Sequence, residues 1–330
     1  MPIYWGKSFF QFFVVFFSRI PALLQGKVAL ESDEIQLIAL SLVSAICALL
    51  GVFLVVRKMA MVANAITHTT LVGVMAVVIA SFYLTGAKIS LMEGGINPFY
   101  LLSASVITSF LTMALIELFS NKFLIQRDVS IGLVFSFLFA VGIILATIFT
   151  RSSHIGTDVI TGNIDMITKG DLNFIMILGL FVFILVGLFW RILLFSSFDG
   201  QFSSIAGISE KLVNYLIVLL TSITVIVSMQ VVGVVLVLAL LIVPVIISRL
   251  FFHSLKMIVL SSVIIGIVTS NIAVALSRHF LSQYQTPLST AGLVTTIFFL
   301  IWICGAAYSR VRRLTFQRNA VKLQAENELG

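Results

Sequence analysis

Few side chains in this sequence could do chemistry together, and the best placed lie in one apolar run, MAMVANAITHTTLVGVMAV. Asn64 and His68 stand four residues apart there, with Thr67 beside them. On a helix that spacing puts Asn64 and His68 on one face, about 6 Å apart along the axis at about 1.5 Å per residue. A neutral imidazole is the commonest protein ligand for borderline metal ions, and an oxygen ligand one turn away can share the ion. The same pair also fits a histidine that hydrogen-bonds across a helix interface. Thr69 and Thr70 read as hydroxyls that bond back to their own helix.

Other chemistries lack their parts. The four histidines stand far apart and none is followed by glutamate, so neither an H-E-x-x-H zinc site nor a paired nucleophile and base is present. No G-x-x-x-x-G-K-S/T loop occurs, so the chain has no nest for ATP phosphates. Cys47 and Cys304 both fall in apolar runs and are too few for a disulfide framework.

The elements that position Asn64 and His68 follow from composition. Of 330 residues, 60% are apolar and 10% charged, against roughly a quarter charged in a soluble domain. A soluble fold cannot hide that much apolar surface, whereas a bilayer core about 30 Å thick accepts repeated helices of about 20 residues. Apolar runs bounded by charges or turn residues fall at 35–56, 59–84, 98–119, 129–149, 172–195, 211–229, 232–251, 255–277 and 287–308. Only Gln230 and Val231 part the sixth from the seventh, so that pair reads as two spans, a re-entrant hairpin or a broken helix. The expected fold class is all-α, a polytopic integral membrane protein of about eight or nine spanning helices. The 29 phenylalanines then serve as bulk facing lipid or neighbouring helices.

The net charge of +7 lies between spans and in a tail rather than on one basic face, which argues against nucleic acid and for a topology signal. With Arg57 and Lys58 cytoplasmic, thirteen of the 20 Lys and Arg residues fall on that side, as the positive-inside rule prefers. Residues 309–330 become a cytoplasmic tail, 35–308 the membrane domain and 1–34 an external segment. The stretch 5–24, Phe-rich but carrying Lys7, Gln11, Arg19 and Pro21, reads as an interfacial helix or a tenth span.

Remaining polar and special positions have structural readings. Glu117 and Gln230 sit near span ends and can snorkel to water. His154, Asp158 and Asp165 occupy an external loop, and His253 and His279 stand at span ends without an assigned role. Pro244, inside an apolar helix, removes one backbone hydrogen bond and kinks the chain, as a hinge or as fixed geometry. Gly73 and Gly233 read as close-packing positions.

From about Pro21 to Tyr308 the chain resembles the ABC-3 family of metal-ion ABC transporter permeases. After the basic pair Arg57 and Lys58, the residues Asn64, Ala65, Ile66, Thr67, His68, Leu71, Val72 and Gly73 are similar to the family pattern G-D-A-I-S-H-A-x-L-P-G. His68 and Gly73 match it; Asn64 replaces an acid, Thr67 a serine and Val72 a proline. Arg127, Asp128, Ile131 and Gly132 resemble its basic-acidic-x-x-I-G span start. Gly162, Ile164, Asp171 and Leu172 resemble its external stretch. Phe198, Asp199, Ala206 and Gly207 resemble F-D-P-E-x-A-x-x-x-G, and Val232 to Pro244 resembles V-G-x-L-L-x-x-A-L-L-x-x-P.

The resemblance implies a permease subunit of an ATP-binding-cassette importer for a divalent transition metal, manganese, zinc or iron, in the bacterial inner membrane. It implies no permanent cofactor, the metal being cargo. Its implied partners are separate ATPase subunits, a second permease subunit and an external solute-binding protein. Asn64, Thr67 and His68 are the implied ion path, and a cytoplasmic loop at 198–209 the implied ATPase contact, through Phe198, Asp199, Phe202, Ala206 and Gly207. An amide at Asn64 offers a dipole where the family has a full charge, so this site is expected to hold a divalent ion more weakly unless a partner supplies the acid. A permease for a siderophore- or cobalamin-type chelate is the alternative within the class. An ion-coupled secondary transporter is disfavoured by the near absence of mid-span acids and of related halves.

Overall fold

The computed structural model describes residues 3–25, 29–85, 98–150, 162, 164–198 and 209–329. Its α-helices are α1 (Phe9–Leu24), α2 (Ser32–Val56), α3 (Ala60–Thr85), α4 (Pro98–Glu117), α5 (Arg127–Thr150), α6 (Lys169–Leu188), α7 (Trp190–Phe198), α8 (Glu210–Val232), α9 (Val234–Phe251), α10 (Leu255–Tyr284) and α11 (Thr290–Leu329). Among the described residues nine helices, α2 to α6 and α8 to α11, are long and apolar enough to cross a membrane, and no strand occurs. Arg127 and Lys211 line one cavity with Asn214, to which Arg57 also bonds, so these basic residues share one end of the bundle.

Helix α2 is the central post, packed against α6, α8, α9 and α10. Its start is set by a capping box: the Glu31 N–H donates to the Glu34 carboxylate at 2.9 Å, and Asp33 and Glu34 complement the helix dipole. Small residues then let neighbours approach its backbone. A Cβ on Gly51 would collide with the Leu241 carbonyl of α9, and one on Gly266 of α10 would collide with Ser44 Oγ. Without a hydrophobic drive between helices in lipid, close approach of this kind supplies the packing energy. Interhelical hydroxyl bonds add to it, Ser41 to Asn271 at 2.8 Å and Ser222 to the Ser105 carbonyl at 3.0 Å.

Helices α5, α6 and α11 lie outside and expose Phe137, Ile148, Phe181, Leu188, Phe299 and Leu300, as lipid-facing surface should. The pair left open between two spans and a broken helix consists of α8 and α9, each of span length, joined at Gly233 alone. Gly233 has φ +85, and a Cβ there would meet the Gly162 carbonyl at 2.9 Å. A side chain is excluded both by the left-handed backbone and by the loop that packs on it.

The fifth span differs from expectation. It stops at Leu188, Phe189 turns the chain, and Trp190 opens the separate short helix α7. Twenty residues already cover about 30 Å, so α6 has crossed the bilayer before the apolar run ends. The run continues because Trp190 packs edge-on against Phe53 of α2, with ring centroids 5.9 Å apart. Helix α1, at 16 residues, is shorter than the spans. It buries Phe12 and exposes Phe10, Val14 and Phe17 along one face.

Candidate ion path on helix α3

Helix α3 starts at Ala60 and carries Asn64 about 6 Å and His68 about 12 Å along its axis from there, at about 1.5 Å per residue. Asn64 is exposed and His68 half-buried on the same face. The imidazole lies between two rings of α5, Phe135 at 5.0 Å and Phe139 at 5.5 Å. Among the described residues no hydrogen bond reaches either the His68 ring or the Asn64 carboxamide.

The neighbouring hydroxyls are spent. Thr67 is buried and donates to the Asn64 backbone carbonyl at 2.7 Å; Thr70 donates to the Ile66 carbonyl at 2.7 Å. Thr69 meets Thr112 of α4 at 3.2 Å. Structure therefore brings Asn64 and His68 together with open polar ends and turns Thr67 away from them. Gly73 sits about one and a half turns beyond His68, where a Cβ would collide with Thr108 Oγ1 and lie 2.6 Å from the Ala104 carbonyl, so α3 and α4 touch backbone to backbone. Pro244 is buried inside α9, where it leaves the Leu240 carbonyl without its usual helical donor.

On α5, beside Phe135 and Phe139, the residues Gly132, Ser136 and Ala140 recur every four positions on the exposed face. A Cβ on Gly132 would meet nothing within 4 Å. Small residues at this spacing, next to open polar groups at membrane depth, make a face that lipid covers poorly and another helix covers well.

Of the nominated ATPase contacts, Phe198 ends α7, and Asp199, Phe202, Ala206 and Gly207 lie outside the described residues. So do His154 and Asp158. Glu117 accepts from the Tyr215 hydroxyl at 3.2 Å and lines a cavity of about 190 Å³ at the basic end, with Asn121, Arg127, Lys211 and Asn214. Among the described residues no group of three or more His, Cys, Asp or Glu side chains could hold a metal ion.

Sequence reasoning missed a second polar region, at the opposite end. Asp33 and Glu34 are buried at the start of α2. Asp33 pairs with Arg278 of α10, and Glu34 with Arg19 of α1 at 2.6 Å. The Tyr4 hydroxyl also donates to Glu34, at 2.8 Å; burial, and then this bond, push the Tyr4 phenol well above its usual value. Asp165, expected in a solvated loop, instead accepts from Gln36 of α2 at 2.7 Å and from the Thr290 hydroxyl of α11 at 2.5 Å. The available signal was the acid pair at the head of an apolar run, which demands partners.

A bundle of span-length helices around a central post, with one open polar face at membrane depth, defines a multi-pass membrane protein of the permease class. The chain belongs to the ABC 3 transport family, whose model matches residues 34–309. It is 36% identical over 98% of its length, and 97% of the relative's, to a probable metal transport system membrane protein of Chlamydia pneumoniae. It is 32% identical to the manganese transport system membrane protein MntC of Halalkalibacterium halodurans, over 71% of this chain and 74% of that one. Among solved structures, PsaBC from Streptococcus pneumoniae in complex with Fab shares the fold, with a TM-score of 0.67, 24% identity and coverage of 87% of this chain and 95% of that one.

Proposed function

We propose that this chain is the membrane-spanning permease subunit of an ATP-driven importer, and that it carries a divalent transition-metal ion, manganese, zinc or iron, across the bacterial cell membrane. The carrying observation is the α3 face. Asn64 and His68 lie on an apolar helix of span length with their polar ends open, an arrangement that lipid penalises and a hydrated path rewards. Relatives named for manganese, zinc and iron transport support the cargo class.

A single face lines only half a path. The small-residue stripe of α5 beside it suits a second permease subunit, so that two α3 faces enclose the ion between them. His68 would supply nitrogen and Asn64 oxygen, with a few ligands rather than a closed cage, because a transported ion must leave as readily as it enters. ATP is hydrolysed by a separate subunit that docks on the 198–209 loop, where Phe198, Asp199, Phe202, Ala206 and Gly207 make the contact, and an external binding protein delivers the metal. Closure of the ATPase dimer pulls on these loops and alternates access to the path.

The test is uptake of radiolabelled manganese, zinc and iron(II) by cells that depend on this chain, with and without His68→Ala. Uptake of one ion that collapses in the variant, at unchanged protein level, is the expected result. Unimpaired uptake of all three removes His68 from the path; no uptake of any by the unaltered protein removes the metal reading.

A further inference from the structure

Arg57 does more than mark one side of the membrane. From the end of α2 its side chain reaches two other elements at once. Nε and Nη2 donate to Asn214 Oδ1 on the first turns of α8, at 3.1 and 2.6 Å. Nη1 donates to the Ser196 carbonyl at 2.7 Å and to its Oγ at 2.5 Å, near the end of α7. Both acceptors are buried.

Ser196 and Asn214 stand on either side of residues 199–208, the stretch that the proposed function gives to the ATPase. On its other side Arg57 borders α3. Lys58 turns the chain in the left-handed region at φ +58, Met59 is buried, and α3 begins at Ala60. Asn64 follows four residues later. One guanidinium thus ties both ends of the motor-facing stretch to the corner from which the ion-path helix starts.

The chemistry suits a strut. A guanidinium is planar and always charged, and its donors leave in a fixed fork, so two acceptors that it holds together cannot drift apart without breaking charge-assisted bonds. Lysine, with a single ammonium on a flexible stem, would hold one acceptor or the other. The corner after Arg57 is bonded on both sides: the Lys58 and Met59 N–H groups donate to the Val55 and Leu54 carbonyls of α2 at 3.2 and 2.7 Å, and the Met59 carbonyl accepts from Val62 of α3 at 2.9 Å, so a pull on Arg57 reaches the start of α3.

We infer that Arg57 is a positioning residue that transmits movement of the α7 and α8 ends to the α3 face, so that the motor stroke and the opening of the Asn64 and His68 path occur together. This rests on the proposed function above. Its test uses the whole assembly, the chain with its ATPase subunits in vesicles of bacterial polar lipid, and reads manganese delivered per ATP hydrolysed. Arg57→Gln is expected to keep ATP hydrolysis and to lower the ratio about tenfold, within the range of ordinary coupling between two sites. Asn214→Ala should lower it less. The double variant should be no worse than Arg57→Gln alone, since one link is broken once.

A merely structural role would reduce hydrolysis and transport together and leave the ratio where it was. An unchanged ratio in Arg57→Gln therefore overturns the inference. If that variant does not assemble with the ATPase, Asn214→Ala decides by the same ratio; failure of both to assemble makes the clamp a folding element and also overturns it. Absence of ATP-dependent uptake of manganese, zinc and iron(II) alike by the unaltered complex, supplied with its external binding protein, is a different failure, and sinks the metal-importer reading itself.

Discussion

The start of α2 and the first turns of α3 both carry polar groups inside a membrane protein, and the fold treats them oppositely. At the start of α2 both buried acids have partners: Asp33 with Arg278, and Glu34 with Arg19 and Tyr4. On α3 the hydroxyls are satisfied within the helix, yet the amide and imidazole that face outward are left open. Satisfied polar groups hold helices together, and open ones wait for something absent from the chain. On the proposed function, architecture and transport occupy different helices of the bundle.

That contrast breaks first at Glu34. Removing one partner of a buried ion pair costs about 3–5 kcal/mol, so Glu34→Ala should lower stability by that much in detergent unfolding. A loss below about 1 kcal/mol, the range of exposed pairs, would mean that the cluster at the start of α2 is not structural. Gly233→Ala comes next, at about 1–3 kcal/mol for a side chain forced to φ > 0 against the Gly162 carbonyl, read in the same unfolding assay.

His68→Ala should do the reverse of both. Its unfolding free energy should fall by no more than about 1.5 kcal/mol, the range of an aromatic ring contact, while metal uptake falls by about tenfold or more. A stability loss as large as that of Glu34→Ala would turn His68 into a packing residue between Phe135 and Phe139. The smallest effect is expected from Asn64→Asp. A full charge about 8 Å from a divalent cation in a hydrated path is worth about 1 kcal/mol, so the KM for uptake should fall about fivefold. An unchanged KM would place Asn64 off the path.

Much of this was legible in sequence. Apolar run length against bilayer thickness sufficed for the nine spans among the described residues, because a run of about 20 apolar residues satisfies its whole backbone within itself only as a helix. Asn64 and His68 were visible as polar residues in an apolar helix. Thr67 was not separable from them, since only the rotation of α3 in the bundle sends its hydroxyl inward. The partners of Asp33 and Glu34 were hidden for a related reason: Arg19 and Arg278 lie far away in the chain, and pairing over that distance leaves no local pattern.

Sequence alone determined that this protein is a bundle of membrane helices and which polar residues its spans contain, because hydropathy and helical period act locally. Only the tertiary structure decided which of those polar groups are satisfied and which stay open, and that Arg57 joins α2 to α7 and α8. Those outcomes depend on which helix faces meet, and the facing is set by close backbone approach at positions such as Gly51, Gly73 and Gly266, whose partners sit on other helices.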